Sequence, residues 1–316
     1  MNIENTSPYI TVIIPAKDES ASLRELSNRI LAAYADNESH SIELLFIDDG
    51  SSDNTWEILN DLHNANPAIR ALRFNKNQGK SAALAAGIAH ARGEILVTID
   101  ADLQDEPAEI PKLVAKLDEG YDLVSGWKKN RQDPWHKRWF SLLFNGIVSK
   151  FAGITLHDIN CGLKAYRKKV FEPIRVYGEL HRFIPVLAAR YGFRIAELPV
   201  THHPRKFGKS RFGTERIFRA AFDFLSLNYT LAYLHKPMHW FGTIALLTSL
   251  LGLLFLVGSL LFFFFDTMFH GAVIAGIGCV LGIFGLQAIL FGWLAESLIY
   301  VSRRDEPPYY INEIIE

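Results

Sequence analysis

The chain has 316 residues, 49% of them hydrophobic, with a formal net charge of −1 and a mean hydropathy of +0.09. Bulk charge gives no reason to expect nucleic acid, and no basic run interleaved with aromatics resembles an RNA- or DNA-binding module. The chain is too apolar for an ordinary soluble domain, and the excess sits near its end. Cys161 and Cys279 fall in different regions and are not expected to pair, which suits a reducing, cytosolic setting. Residues 1–8 are polar with no apolar core behind a basic start, so no cleavable leader is expected.

Residues 9 to about 200 alternate strands and helices. Residues 10–14 are β-branched and apolar, and 21–34 carry helical spacing with Ser20 or Ser22 as the cap. A strand at 42–47 runs into the turn Asp48-Asp49-Gly50-Ser51-Ser52-Asp53, and a helix follows at 55–64. Strand 71–74, the Ala-rich helix 79–91, strand 95–99, a helix at 107–118 opened by Pro107, and strand 123–126 complete the series. This alternation predicts a mainly parallel, doubly wound α/β sheet with helices on both faces.

The pattern changes after residue 201. Residues 202–219 hold six Lys or Arg and one acid, Glu215, and the stretch to 234 mixes aromatics with few charges. Residues 202–238 are expected to lie on a membrane surface as an amphipathic segment. Residues 241–265 and 272–295 carry no charge at all. Each run is long enough to cross a bilayer core of about 30 Å, so a two-helix hairpin over about 241–265 and 272–300 is expected. Lys236, Arg303 and Arg304 flank the spans and the connector has neither Lys nor Arg, which places both termini and the catalytic part in the cytoplasm. Trp240, Trp293 and Tyr300 suit the interfacial belt. Gly278 and Gly282 form a small-xxx-small pair suited to packing within the hairpin or between protomers. The expected division is 1–201 catalytic, 202–238 interfacial, 239–301 membrane-spanning and 302–316 a cytoplasmic tail.

The most informative segment is Asp100-Ala101-Asp102-Leu103-Gln104, at the carboxyl end of the strand 95–99. Ligands of open α/β sheets bind at such strand ends. Two carboxylates at i and i+2 can share Mg²⁺ or Mn²⁺ with a diphosphate. Alone, the triplet is also compatible with a polar helix-capping loop. It follows three other strand-end features: 12–19 (Val-Ile-Ile-Pro-Ala-Lys-Asp-Glu), 47–53 (Ile-Asp-Asp-Gly-Ser-Ser-Asp) and Asn77-Gln78-Gly79-Lys80.

This ordered set resembles the inverting family 2 glycosyltransferases of GT-A fold, and within them the polyprenyl-phosphate glycosyltransferases. These include bacterial enzymes that glucosylate undecaprenyl phosphate and dolichol-phosphate mannose synthases. The resemblance implies a GT-A, Rossmann-like mixed sheet and a metal-dependent hexosyltransferase. The donor it implies is a UDP-sugar, with glucose expected, and the acceptor is a polyprenyl phosphate in the bilayer. The glycine face of the second span, separately, leads to the expectation of a homo-oligomer, dimer or tetramer. Pro15, Ala16 and Glu19 are positioned to line a uracil pocket, and Asp49 to accept from ribose. Gly79 and Lys80 open a helix that favours phosphate. Asp100 and Ala101 face the nucleotide sugar, while Asp100, Asp102 and Gln104 are the metal set.

By resemblance Arg131 and Arg138 meet the acceptor phosphate, with Lys128 near them. Arg205, Lys209, Ser210 and Arg211 belong to a Gly-flanked loop able to close over the diphosphate or meet headgroups. Asp158 corresponds to the residue often given the role of base. An ionised phosphate needs no deprotonation, so positioning of the acceptor stands beside that role. Asp48, Asp49, Asp53 and Asp158 also remain possible helix caps, and Lys17 and Asp18 possible solvated charges. No His or Cys spacing suggests zinc. A processive synthase, a GDP-mannose enzyme and a non-catalytic lipid-binding subunit are the rival readings. The first lacks a Gln-x-x-Arg-Trp motif here, since Trp135 precedes Arg138-Trp139.

Overall fold

The computed structural model describes residues 9–35, 41–129, 156–178, 180–204, 236–265 and 268–302. The chain forms two compact units, Met1–Arg219 and Ala220–Glu316. Arg131, Arg138, Arg205, Lys209, Ser210, Arg211 and most of the expected interfacial segment lie outside the described residues.

The first unit is built on seven strands among the described residues: β1 (Ile10–Ala16), β2 (Ile42–Asp48), β3 (Ile69–Arg73), β4 (Ile95–Thr98), β5 (Leu123–Trp127), β6 (Lys164–Arg167) and β7 (Ile195–Pro199). Between them run α1 (Leu23–Ala33), α2 (Thr55–Ala65), α3 (Lys80–His90), α4 (Ile110–Asp118) and α5 (Ile184–Arg190). The strand order is β3-β2-β1-β4-β6-β5-β7. Every pairing is parallel except those of β6, which is antiparallel to β4 and β5.

Both faces of the central strands are covered, which is why they read as continuous apolar runs. Ile10, Val12 and Ile14 join Leu23, Leu26 and Ile30 of α1, Leu59 of α2 and Leu113 of α4 in one core. Ile13, on the opposite face, packs against Gly87 of α3. Each such Leu or Ile contributes about 1.5–3 kcal/mol on burial, so the centre of the sheet is the rigid part of the unit.

Local reading and structure differ where tertiary contacts intervene. α1 starts at Leu23 after Ser22, but the Ser22 hydroxyl donates to the Glu19 carbonyl instead of capping the helix. Pro107 opens a 3₁₀ turn, Pro107–Glu109, that leads into α4. The third strand begins at Ile69, two residues before the apolar pattern suggests.

The second unit contains α6 (Pro237–Phe265) and α7 (Met268–Ser302). Stretches of 27 and 31 residues in them are apolar enough to cross a bilayer, and only 17% and 11% of their most apolar windows is buried. An exposed apolar surface of that extent suits a membrane surrounding.

The helices meet along glycines seven residues apart. Cβ atoms at Gly271, Gly278, Gly285 and Gly292 would run into Phe263, the Gly252 carbonyl, the Ala245 carbonyl and Phe241 respectively. A seven-residue repeat keeps one seam facing the neighbouring helix. Gly278 therefore serves the contact within the hairpin, whereas a Cβ at Gly282 would meet nothing within 4 Å. Gly278→Val, placed 2.8 Å from a backbone oxygen, is expected to destabilise the hairpin by about 1–3 kcal/mol through overpacking. Gly276→Ala, which faces open space, is expected to be neutral. Thermal unfolding of the two variants in detergent checks the contrast.

Candidate active site

The carboxyl ends of β1, β2 and β4 enclose a cavity of about 320 Å³. Pro15, Ala16, Glu19, Asp49, Gly79, Lys80, Asp100 and Ala101, the eight residues expected at a nucleotide sugar, all line it, together with Asp102. Lys17 and Asn77, to which no specific task was assigned above, line it too.

Its first wall is a clasp between the loops after β1 and β2. Asp18, at φ +55°, accepts from the Ser52 N–H and hydroxyl and donates its own N–H to the Ser51 hydroxyl. These bonds, the Ser52 N–H first, hold the Asp18 carboxyl below the usual range despite some burial. Asp53 accepts from the N–H groups of Ser20 and Thr55, so it caps α2 and ties the two loops together. Gly50 sits at φ +65°, with backbone where a Cβ would stand, so the turn admits only glycine.

Asp49 is buried, and its two oxygens accept from the N–H groups of Gln78 at 2.7 Å and Gly79 at 3.0 Å. It therefore shapes the loop that opens α3. Gly79, at φ +90°, precedes the first turn of that helix, which no side chain caps. Lys80, its first residue, does not stand free for a phosphate: its ammonium is paired with Asp100 Oδ1. Burial alone would raise the Asp100 pKa, but Lys80, with Lys128 and Lys164 behind it, holds it at about 2.

The second carboxylate, Asp102, is largely buried and accepts from the Gln104 N–H at 3.2 Å. Gln104 does not line the cavity. Its Nε2 donates to the His203 carbonyl at 3.4 Å, which turns Oε1 away from that carbonyl. Two carboxylates and an amide oxygen form a hard donor set. No group of three His, Cys, Asp or Glu among the described residues makes a complete metal cage. A cation here must draw further oxygens from a ligand, which suits Mg²⁺ or Mn²⁺ shared with a diphosphate.

The segment 156–163 runs beside this site. A Cβ at Gly162 would stand 2.8 Å from Asp100 Oδ2, and the Gly162 carbonyl accepts from Thr98. Asp158 is buried; its N–H donates to Glu197 and its Oδ1 accepts from the Asn160 N–H. It forms a local turn with Asn160. Cys161 is buried, which pushes its thiol up to about 12 and leaves it unreactive.

Two basic residues were not legible as site residues. Lys164, at the start of β6, is 4% exposed and donates to the Cys161 carbonyl. Burial lowers its pKa, while Cys161, Asp158 and Asp100 favour its charge. His181 lies 100 residues from Ser81, yet its Nδ1 is 2.7 Å from the Ser81 hydroxyl in the first turn of α3. The His181 contact is made by packing across 100 residues, which no local signal marks, and the Lys164 contact lies within its own turn but leaves a lysine buried at a strand start, which composition alone does not show. Lys128, expected near the acceptor phosphate, is 9% exposed and paired at 2.9 Å with Asp105, which is 1% exposed. Removing one member of such a pair costs about 3–5 kcal/mol.

The description "Glycosyl transferase family 2" matches residues 11–175 of the chain. Dodecaprenyl-phosphate galacturonate synthase of Rhizobium johnstonii is 35% identical over 325 residues, covering 97% of this chain and 93% of that protein. Undecaprenyl-phosphate 4-deoxy-4-formamido-L-arabinose transferase of Edwardsiella ictaluri is 33% identical, covering 98% and 95%. Among solved structures, glucosyl-3-phosphoglycerate synthase of Mycobacterium tuberculosis in complex with Mn²⁺, UDP and phosphoglyceric acid superposes with a TM-score of 0.52. It is 18% identical and covers 71% of this chain and 78% of that one, so the likeness concerns the fold. The mixed sheet, its strand-end cavity and the extent of the two sequence matches agree: the chain belongs to glycosyl transferase family 2, among relatives that act on polyprenyl phosphates.

Proposed function

We propose that the protein transfers a sugar from a UDP-sugar to a polyprenyl phosphate at the cytoplasmic membrane face, with inversion and with Mg²⁺ or Mn²⁺. The observation that supports this most is the single cavity shared by the uracil-type wall, the Gly79-Lys80 turn and the two aspartates. In this reading Pro15, Ala16 and Glu19 meet the base, and Asp49 fixes the turn that approaches the diphosphate. Asp100 and Asp102, which line the cavity, would hold the metal, with Gln104 beside them as the third ligand expected from the sequence, and the metal would supply charge neutralisation for the leaving UDP. Lys80 bridges Asp100 and the diphosphate. Arg131, Arg138 and the loop at 205–211 are assigned to the acceptor phosphate and headgroups. Glucose, the sugar expected from the sequence, is one donor candidate; the relatives named for galacturonate and 4-deoxy-4-formamido-L-arabinose supply two others.

A phosphate monoester is mostly dianionic at pH 7, so it attacks without a general base. Asp158 accordingly orients the acceptor. His181 is a poor base as well: burial first, then Lys80 and Arg182, hold its ring at about 3. It stays neutral and, through Ser81, steadies the turn that carries Lys80.

Purified full-length protein given labelled nucleotide sugars and a polyprenyl phosphate is expected to form an organic-soluble product from a UDP-sugar. EDTA should abolish it, and Asp102→Ala should cut it by about 100-fold or more. Transfer from GDP-mannose alone would replace the donor assignment, and nucleotide binding without transfer from any donor would overturn the enzymatic reading. Asp49→Ala should weaken UDP binding about tenfold by calorimetry, since two charge-assisted bonds to the 78–79 turn are lost.

The His181 shift also has a pH signature. The unfolded chain binds this proton near pH 6.5 and the folded one only near 3. Its contribution is therefore intact above about pH 6.5 and declines as pH falls towards 3, by up to about 1.4 kcal/mol per unit. His181→Gln, which does not titrate, should lose about 1–2 kcal/mol less between pH 7 and pH 5 in thermal unfolding.

A further inference from the structure

The loop that carries the metal set is held from the far side of the sheet. Leu103, in its middle, has φ +59° although it is not glycine, so the turn needs outside support. Part of that support reaches it from strands other than β4, the strand the loop leaves. It comes from β5 and from residues 200–203, which follow β7. The Val200 N–H donates to the Trp127 carbonyl at 3.0 Å and extends the β5–β7 pairing. From this edge Lys128 reaches Asp105 Oδ1 at 2.9 Å, and His202 Nδ1 reaches the same oxygen at 3.2 Å. Asp105 and His202 also form an antiparallel bridge.

The next residue grips the metal set itself. The His203 N–H donates to the Gln104 carbonyl at 2.7 Å, and the His203 carbonyl takes the Gln104 side-chain amide at 3.4 Å. An amide whose nitrogen faces a carbonyl presents its oxygen elsewhere, the orientation a hard cation needs. The Gln104 N–H, in turn, donates to Asp102 Oδ1. One short stretch of backbone therefore holds Gln104 by its carbonyl and its side-chain amide, and the backbone N–H of the same residue meets the second carboxylate.

We propose that Lys128 and the backbone of His203 are positioning residues for the divalent cation, holding Gln104 and Asp102 in ligating form. The proposal rests on the metal reading given above. It gives Lys128 a task different from contact with the acceptor phosphate, and it makes donor-site metal affinity depend on the strand that precedes residue 205.

The test is Mn²⁺ binding to the full-length protein in detergent with UDP present, read from the EPR signal of free Mn²⁺, alongside thermal unfolding. Lys128→Met is expected to weaken Mn²⁺ binding by about 10–100-fold, and Lys128→Arg to recover most of it. The Mn²⁺ concentration for half-maximal transfer should rise more than the rate at saturating Mn²⁺ falls. His203→Pro removes the N–H given to Gln104 together with the imidazole that meets Glu106, and should weaken Mn²⁺ by about tenfold where His203→Ala, which removes the imidazole alone, does not; it carries the test if Lys128→Met does not fold. Wild-type binding of Mn²⁺ with unchanged affinity in folded Lys128→Met or His203→Pro overturns the proposal alone. A wild-type protein that binds no Mn²⁺ in the presence of UDP overturns the metal reading and the proposal together.

Discussion

Several carboxylates gather at the ends of adjacent strands, and their mutual repulsion has to be balanced. The Lys80–Asp100 pair carries most of that burden inside the cavity. It keeps Asp100 ionised while joining the helix that opens after β3 to the loop that follows β4. Like charges crowded at a strand end would otherwise protonate or spread apart. Because the pair spans two crossover units, the cavity depends on the order of the central strands, β2-β1-β4.

Around that pair, each remaining carboxylate is given its own partner. Asp49 is satisfied by two backbone N–H groups and Asp53 by two more, and one oxygen of Asp105 takes both Lys128 and His202. Buried polar groups of this kind are tolerated only when their bonds are made. The antiparallel strand β6 has a specific place in the scheme: it lies between β4 and β5 and starts with Lys164, whose charge helps to keep Asp100 ionised. The chain leading into it passes so close to Asp100 that a Cβ at residue 162 would have to displace the Asp100 carboxylate.

The C-terminal unit follows a different rule. Its helices bury little of their apolar surface, and they approach each other through glycines, because small residues allow close backbone contact where no hydrophobic drive exists between helices. The family relationship explains why such a unit belongs in this chain: the named relatives act on polyprenyl phosphates, whose lipid tails reside in membranes.

Much was legible from sequence. Runs of β-branched residues gave the central parallel strands, the Pro15-Ala16, Asp48-Asp49-Gly50 and Asp100-Ala101-Asp102 clusters marked the strand ends, and uncharged stretches gave the two long helices. These signals are local, since each depends on the period or composition of a few neighbouring residues. β6 was missed because it is four residues long and begins with a buried lysine. β7 was missed because its residues are only partly buried at the sheet edge. The assignments of Lys80 to Asp100, Lys128 to Asp105, Ser81 to His181 and Gln104 to His203 were decided by tertiary structure. Each joins residues 20 to 100 positions apart, and which charge meets which is settled by strand order and burial, quantities that no local pattern contains.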